Sequence, residues 1–533
     1  MVPPGLVDAL RRHLVALGAP VPDEVTVERP RVREHGDLST NVALVVAKRA
    51  GRRPRELAEA LAEALRADLP PHVAAVEVAG AGFVNLRLHH SWSQQVVRDV
   101  VRLGEADYAR SDVGGGRRVN VEFVSANPTG PLHAGHARWA AYGDSLCRVL
   151  ERTGHVVHRE FYVNDRGVQM QRYAESLAAR KAGAPLPPDG YGGAYVEEWA
   201  AEMPDDADPL EWGLEKALSY QRATLARMGV EFDTWFSERS LAASGAIEAT
   251  LDDLRAAGHV YEADGAVWLR TEPFGDDKDR VLVKSDGEPT YLLPDIAYHR
   301  DKFARGWELL VDIWGADHHG YVARMAAAIQ ALGHRREDFE ALIGQQVVLM
   351  RGGQEVRLSK RRGDIIEMAE ILDEVGPDAA RLTFLLQTLD TKQVFDFDLV
   401  VSQSNENPVF YVQYAHARIA SIGRRAAEWG IERAPIEEVD LSLLVHERED
   451  ELIRSLAELP DVVRDAALLR APSKVTTWVR ELAGAYHRFQ HDCPVLQGVD
   501  PALTQARLWL VEATRIGLAI GLDLLGVSAP DSM

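Results

Sequence analysis

The sequence predicts an α/β protein: a doubly wound parallel sheet, preceded by a small α+β module and followed by an all-helical bundle. Three observations carry this. Residues 119–162 read as strand, turn, helix and strand, the βαβ unit from which parallel sheets are assembled. The Gly114-Gly115-Gly116 run marks a break before that unit. Beyond about residue 400 the apolar residues recur only at helical spacing. A chain of 533 residues also exceeds what one hydrophobic core can hold. The expected segments are 1–110, 111–400 and 401–533.

In the first segment, Leu6 to Leu17 carries apolar residues at helical spacing. Pro54 to Leu65 starts with a helix-initiating proline and places Leu57, Leu61 and Leu65 four apart. His35 to Asn41 is a polar turn, and Val76 to Leu88 alternates as strand, with Gly80 and Gly82 marking a turn or bulge. In the second segment, Val119, Val121 and Phe123 alternate with Asn120 and Glu122, and Pro128-Thr129-Gly130-Pro131 turns the chain. His136 to Glu151 then reads as a helix with Trp139, Tyr142, Leu146, Val149 and Leu150 on one face. Gly154 closes it, and His155 to Tyr162 is the next strand. The stretch near 184–275 is rich in Pro, Gly, Asp and Trp and carries no nucleotide motif, so it is expected to be an insertion. Further strands are expected at Glu308 to Trp314 and Gln345 to Met350. In the third segment, Asn407 to Trp429, Leu444 to Ala467, Val475 to Gln490 and Gln505 to Leu525 form the bundle.

Composition excludes several classes. Hydrophobic residues make up 46% and charged residues 26%, as in ordinary globular proteins. No window supplies the roughly 20 apolar residues of a membrane helix. Met1 to Leu10 lacks a basic region followed by an apolar run and a cleavage site, so no signal peptide and a cytoplasmic location are expected. Two distant cysteines, Cys147 and Cys493, make neither a disulfide framework nor an all-cysteine zinc site. The net charge of −21 argues against a chain that binds nucleic acid over its whole surface, but a basic patch acts locally. The acidic excess suits a cationic substrate without identifying one.

The strongest local signal is Pro131-Leu132-His133-Ala134-Gly135-His136, between a strand and a helix, where α/β sheets bind ligands. Gly135 lets a planar base approach the backbone. The first amides of the helix point outward toward phosphate. His133 and His136 can donate to phosphate oxygens as charge builds there. The pattern alone would equally suit a zinc pair or two capping histidines; the preceding turn favours phosphate. The second signal runs from Arg351 to Asp364, a glycine-bracketed loop with Arg351, Arg357, Lys360, Arg361 and Arg362. Alone it reads as a solvated basic turn or an RNA patch. Paired with the histidines it reads as a loop that closes over a triphosphate.

These segments resemble class I aminoacyl-tRNA synthetases. His133-Ala134-Gly135-His136 is similar to the HIGH motif of that class, and Arg357-Leu358-Ser359-Lys360-Arg361 to its KMSKS loop. Arg357 stands for the first lysine and Arg361 for the final serine; Lys360 keeps the second lysine, which many arginyl enzymes lack. The flanks resemble arginyl-tRNA synthetases: Val121 to Pro128, Tyr162-Val163-Asn164-Asp165, Trp314 to Gly320, Asn407 to Arg418 and the closing Val527 to Met533. The resemblance runs from about Gly36 to the last residue.

It implies a Rossmann-like catalytic domain that attaches L-arginine to its tRNA through an arginyl-adenylate, using ATP with Mg2+ as substrate and no structural metal. By this resemblance, His133, His136 and Lys360 are catalytic. ATP lies against Pro131, His133, Gly135, His136, Arg357, Ser359 and Lys360. Arginine lies against Glu122, Ser125, Asn127, Tyr291, Asp295 and His318. The carboxylates suit a guanidinium, which offers five donors in a fixed fork. The tRNA would meet Phe83 and Asn85 in the first module and Tyr411, Tyr414 and Arg418 in the bundle. The chain is expected to act as a monomer without a membrane. Other readings are a synthetase of the same class for another amino acid, a small-molecule nucleotidyltransferase, and a non-catalytic tRNA-binding relative. A charging assay, a requirement for tRNA and ATP turnover separate them.

Overall fold

The computed structural model describes residues 2–30, 32–356 and 366–533. The chain packs into two compact units. One contains residues 1–108, 419–461 and 484–517; the other contains 109–418, 462–483 and 518–533. Stretches of the C-terminal helices are assigned to each of the two units.

In the first unit, helix Leu6–Ala16 buries Leu6, Leu10 and Leu14. Strands β1 (Leu38–Thr40), β2 (Val73–Ala79) and β3 (Phe83–Leu88) form an antiparallel sheet in the order β1-β3-β2. The alternating stretch with its two glycines is thus a hairpin: Ala79 pairs with Phe83, and Gly80 and Gly82 both take positive φ. Helix Pro54–Ala67 starts on Pro54, which lacks the N–H that a first helical turn leaves unpaired, and buries Leu57, Leu61 and Leu65.

The second unit is built on five parallel strands: β4 (Arg118–Glu122), β5 (Val156–Val163), β6 (Thr234–Ser237), and β10 (Leu309–Gly315) and β11 (Phe339–Gly344) from later in the chain. Between them β7 (Val260–Ala263), β8 (Ala266–Leu269) and β9 (Arg280–Val283) form a separate antiparallel sheet. The main order is β11-β10-β4-β5-β6, so the sheet grows from β4 in both directions. The switch of direction falls between β4 and β10, and the crevice beyond their carboxyl ends is where such sheets hold ligands. Strands β12 (Val347–Arg351), β13 (Gln354–Glu355) and β14 (Gln393–Asp396) make a third small sheet.

One expectation needs correction. The stretch 184–275 is not wholly an insertion, because β6 is an edge strand of the main sheet. Its four residues are too short for a periodic signal. The strand expected at 345–350 is β12 and belongs to the small sheet; the main-sheet edge is β11, just before it. The four long helices appear close to their expected spans, as Pro408–Glu428, Glu447–Leu468, Ser473–Asp492 and Pro501–Leu524.

Helix Ala134–Arg152 packs on the sheet through Gly143, where a methyl group would overlap the Phe123 ring. Two arginines are fully buried near it. Arg138 donates to the carbonyls of Gln345 (2.9 Å) and Thr388 (2.8 Å). Arg381 donates to Asp144 at 2.5 Å and to the carbonyls of Leu525 and Met228. Gly143→Ala is expected to cost about 1–3 kcal/mol through overpacking, read as a lower urea midpoint at unchanged slope.

Candidate active site

The register of the sheet sets Asp312 of β10 beside Glu122 of β4, and Glu122 beside Glu160 of β5. Three carboxylates therefore stand in one rank near the carboxyl edge, all buried. Such a rank survives burial only if cations and donors meet it. They come from helix Leu292–Ala304 and the residue after it, where Tyr298, His299, Lys302 and Arg305 recur three or four apart and so share one face.

Lys302 is fully buried and bonds Glu122 Oε2 at 2.5 Å and Asp312 Oδ1 at 3.0 Å. Burial works against its charge, but Asp312, Glu122 and Glu160 outweigh burial and raise its pKa. His299 Nε2 meets the other oxygen of Asp312 at 2.9 Å. Burial raises Asp312 too, yet Lys302 and His299 prevail and hold it below the ordinary carboxylate range. Arg305 grips Glu160 with two bonds of 2.7 Å, and Tyr298 Oη and Asn120 Nδ2 add bonds of 2.8 and 2.9 Å. Against the upward push of burial, hydrogen bonds from His158 and Arg305 hold Glu160 well below the usual range.

Two carboxylates share the one ammonium of Lys302, and burial raises the Glu122 carboxyl although Lys302 opposes it. Further acids stand around Tyr162. Burial, and then the charges of Glu238, Asp295 and Glu122, push the Tyr162 phenol far up. Asp295 is raised by burial, although Tyr321 Oη donates to its Oδ2 at 2.6 Å. Glu238 is raised by burial and by the charge of Asp295, with Arg166 opposing. Burial is the first cause of the shift in each of these carboxyls.

The chain bends sharply after β4. Val124 and Ser125 take φ of 69° and 40°, a left-handed conformation that costs non-glycine residues of order 1–3 kcal/mol each. The bend returns Ser125 Oγ to Glu122 Oε1 at 2.9 Å, and the same oxygen accepts from the Tyr162 amide at 3.1 Å. Ser125 Oγ therefore supports Glu122 from the bend. Asn127 is exposed, with its carbonyl accepting from Gln221 Nε2 at 3.0 Å. Tyr291 is 89% exposed at the start of helix Leu292–Ala304, and His318 is exposed beside Asp317 at 3.2 Å. Neither is enclosed with the acids.

Both histidines sit at the start of helix Ala134–Arg152. His133 Nδ1 accepts from the Gly135 amide (3.1 Å), and His136 Nδ1 accepts from the His133 amide (3.2 Å). The rings stack with centroids 3.7 Å apart. Burial lowers the pKa of each, and His133 adds to the effect on His136. Each ring is therefore neutral with its proton on Nε2, a donor fixed in tautomer by the cap it makes. Of the readings of this motif the capping bonds are present, and they leave the Nε2–H as the donor of each ring. Pro131 and Gly135 flank the rings half-buried. Trp139 meets His136 edge-on, with centroids 5.5 Å apart, and its indole lies so close to Gly344 that a side chain there would overlap it. Arg357, Ser359 and Lys360 lie outside the described residues.

Elsewhere, Phe83 (43% exposed) and Asn85 (6%) lie on one face of β3 and line a cavity of about 370 Å³ with Ser39, Asn41 and Arg29. Ser39 Oγ already donates to Asn85 Oδ1 at 2.7 Å. In the second unit, Phe410 stacks on Tyr414 at 5.6 Å, and Arg418 lies over Tyr414 at 5.7 Å, a ladder with a four-residue step. Tyr411 is half-buried on the same helix.

Sequence reasoning missed Lys302, Asp312, Tyr321, Glu238 and Trp139. One signal was available: Asp312 is a lone acid in the apolar run Leu309-Leu310-Val311-Asp312-Ile313.

Three family descriptions match this chain: the arginyl tRNA synthetase N terminal domain over residues 6–88, the tRNA synthetases class I (R) catalytic domain over 102–182 and 215–406, and the DALR anticodon binding domain over 412–533. An arginine–tRNA ligase from Frankia alni is 50% identical over 534 aligned positions, covering 97% of this chain and 96% of that one. The arginyl-tRNA synthetase structure from Thermus thermophilus superposes with a TM-score of 0.78 at 24% identity, covering all of both chains. That from Plasmodium falciparum gives 0.75 at 14% identity, covering 99% and 98%.

Removing Lys302 would strand two buried carboxylates. Lys302→Met is expected to destabilise the chain by about 3–5 kcal/mol in urea unfolding. The acid limb offers a second check. Glu160 has a folded pKa below its ordinary 4.5, so its contribution is present above that value and lost as pH falls further. Glu160→Gln should flatten that part of the stability–pH curve.

Proposed function

The chain belongs to the arginyl-tRNA synthetases and attaches arginine to tRNA at the expense of ATP; we propose that Asp295 and Glu122 hold the guanidinium while His133 and His136 act on the phosphates. One observation carries this reading. Asp295, Glu122 and Glu238, three carboxyls raised first by burial, gather around Tyr162 beside the carboxyl end of β4, from which the chain runs to helix Ala134–Arg152.

The substrate supplies a cation to these acids. A guanidinium stays charged at any physiological pH and presents a planar fork of donors to carboxylates. Once it binds, Asp295 returns toward the ordinary carboxylate range, because the charge that burial penalises is paired. An uncharged analogue would leave buried acids without a partner, which makes discrimination strong without an editing step. Tyr291, exposed at the rim, stacks on the substrate; Asn127 and His318 reach it from the loops beside the acids.

In the first step the arginine carboxylate attacks the α-phosphorus of ATP, which is taken with Mg2+, and pyrophosphate leaves. The Nε2–H groups of His133 and His136 donate to phosphate oxygens as negative charge accumulates on them. Gly135 and Pro131 leave the backbone open to the nucleotide, and Arg357, Ser359 and Lys360 meet the leaving pyrophosphate. In the second step a terminal ribose hydroxyl of the tRNA attacks the activated carbonyl, and AMP leaves. No side chain forms a covalent bond. The work is positioning and fixed dipoles.

The tRNA is held at its outer corner by residues 1–110, with Phe83 stacking on an unpaired base and Asn85 bonding its edge. Its anticodon is read by residues 401–533 through Tyr411, Tyr414 and Arg418. Among the described residues no helix is long and apolar enough to cross a membrane. The enzyme acts in the cytoplasm as a monomer, for which sedimentation should give the mass of a single chain, 58.9 kDa.

His136→Ala should cut arginine-dependent ATP–pyrophosphate exchange by roughly 100-fold or more. Near-normal exchange would remove the role given to that ring. Asp295→Asn should raise the KM for arginine at least about tenfold and leave the KM for ATP close to its starting value, since a charge-assisted bond is exchanged for a neutral one.

A further inference from the structure

Two adjacent residues of helix Pro209–Arg227 reach both sides of the histidine segment. Gln221 is fully buried, and its Nε2 donates to the carbonyls of Asn127 (3.0 Å) and Gly130 (2.9 Å), in the turn that leads to His133. Beside it, Tyr220 Oη donates to Glu367 Oε2 at 2.9 Å. Glu367 caps helix Met368–Val375, and its backbone forms a bridge with that of His133. The next amide, of Met368, donates to the Leu132 carbonyl at 2.7 Å.

A third contact comes from helix Ala194–Glu202, in a stretch that falls between the two matched parts of the catalytic-domain family. Tyr195 Oη donates to the Thr129 carbonyl at 2.8 Å. Its ring lies so close to Gly130 that an added Cβ would stand 2.8 Å from the phenol oxygen, so a side chain there would displace the phenol. Four carbonyls of the turn, those of residues 127, 129, 130 and 132, are thus engaged by groups from elsewhere in the chain.

Gln221 Oε1 has no hydrogen-bond partner among the described residues. A buried acceptor without a donor is a cost that an apolar side chain of the same size avoids. Packing alone does not account for a glutamine here, whereas its two bonds to the turn do.

We propose that Tyr220, Gln221 and Tyr195 are positioning residues. They fix the turn at 127–132 and the pair Glu367–Met368 against each other, so that His133 and His136 face the nucleotide in one arrangement. This rests on the reading that ATP binds at the histidines. Displacement of a reacting group by about 1 Å costs on the order of 100-fold in rate, so bonds at this distance from the chemistry act on turnover.

The test uses the full chain and the variants Gln221→Met, Tyr220→Phe and Tyr195→Phe. In ATP–pyrophosphate exchange each is expected to lower kcat/KM for ATP by roughly tenfold, with the KM for arginine within about twofold of its starting value. Glu367→Leu combined with Tyr220→Phe should be close to the poorer single variant, because each removes the same Tyr220–Glu367 bond. In nucleotide-free protein, hydrogen exchange at the amides of residues 130–137 and 366–370 should speed up in Gln221→Met. Unchanged kinetics would overturn the proposal. So would a loss that falls equally on ATP and arginine and follows the loss of folded protein. The hydrogen-exchange arm needs no nucleotide. If His136→Ala kept its activity while Gln221→Met loosened the turn, the nucleotide reading would fall and the clamp would stand.

Discussion

Lys302 carries a charge where there is no water, and the carboxyl edge of the sheet is arranged around that fact. Its Nζ lies 2.5 Å from Glu122 and 3.0 Å from Asp312, on neighbouring strands at one register. A buried ammonium is tolerated only with partners this close. The ion bridge ties helix Leu292–Ala304 to β4 and β10, and with it Asp295 one turn from His299. It also leaves the two acids half-neutralised. The same contact that makes the helix dock takes up the one ammonium that these two acids share.

Much of this architecture was legible in the sequence. The βαβ unit, the hairpin and the four long helices followed from periodicity, because each is long enough for its period to show. Edge strand β6 has four residues and could not show one. The histidine segment announced itself by its place between strand and helix. Lys302 did not, since a lysine on an amphipathic helix is ordinarily solvated. Only the fold puts it opposite two acids that lie 180 and 10 residues away in sequence. The bond from Ser125 Oγ to Glu122 was likewise not legible, because it depends on the left-handed bend at residues 124 and 125.

The histidine pair illustrates how local structure fixes chemistry. Each Nδ1 is occupied by a backbone amide of the first helical turn, so each proton is left on Nε2. No separate base or acid is needed to choose the tautomer. The lowered pKa values keep both rings uncharged, and an uncharged imidazole donates one bond without attracting a counter-ion of its own.

The rank formed by Glu122, Asp312 and Glu160 has an evolutionary consequence. Its members and their cations come from three strands and a helix, so no short stretch of gene encodes the balance. Altering one member leaves another buried and unmatched, and recovery requires a second change at a distant codon. The partners of the pocket floor are therefore bound to change together or not at all, a constraint that isolated surface positions do not carry.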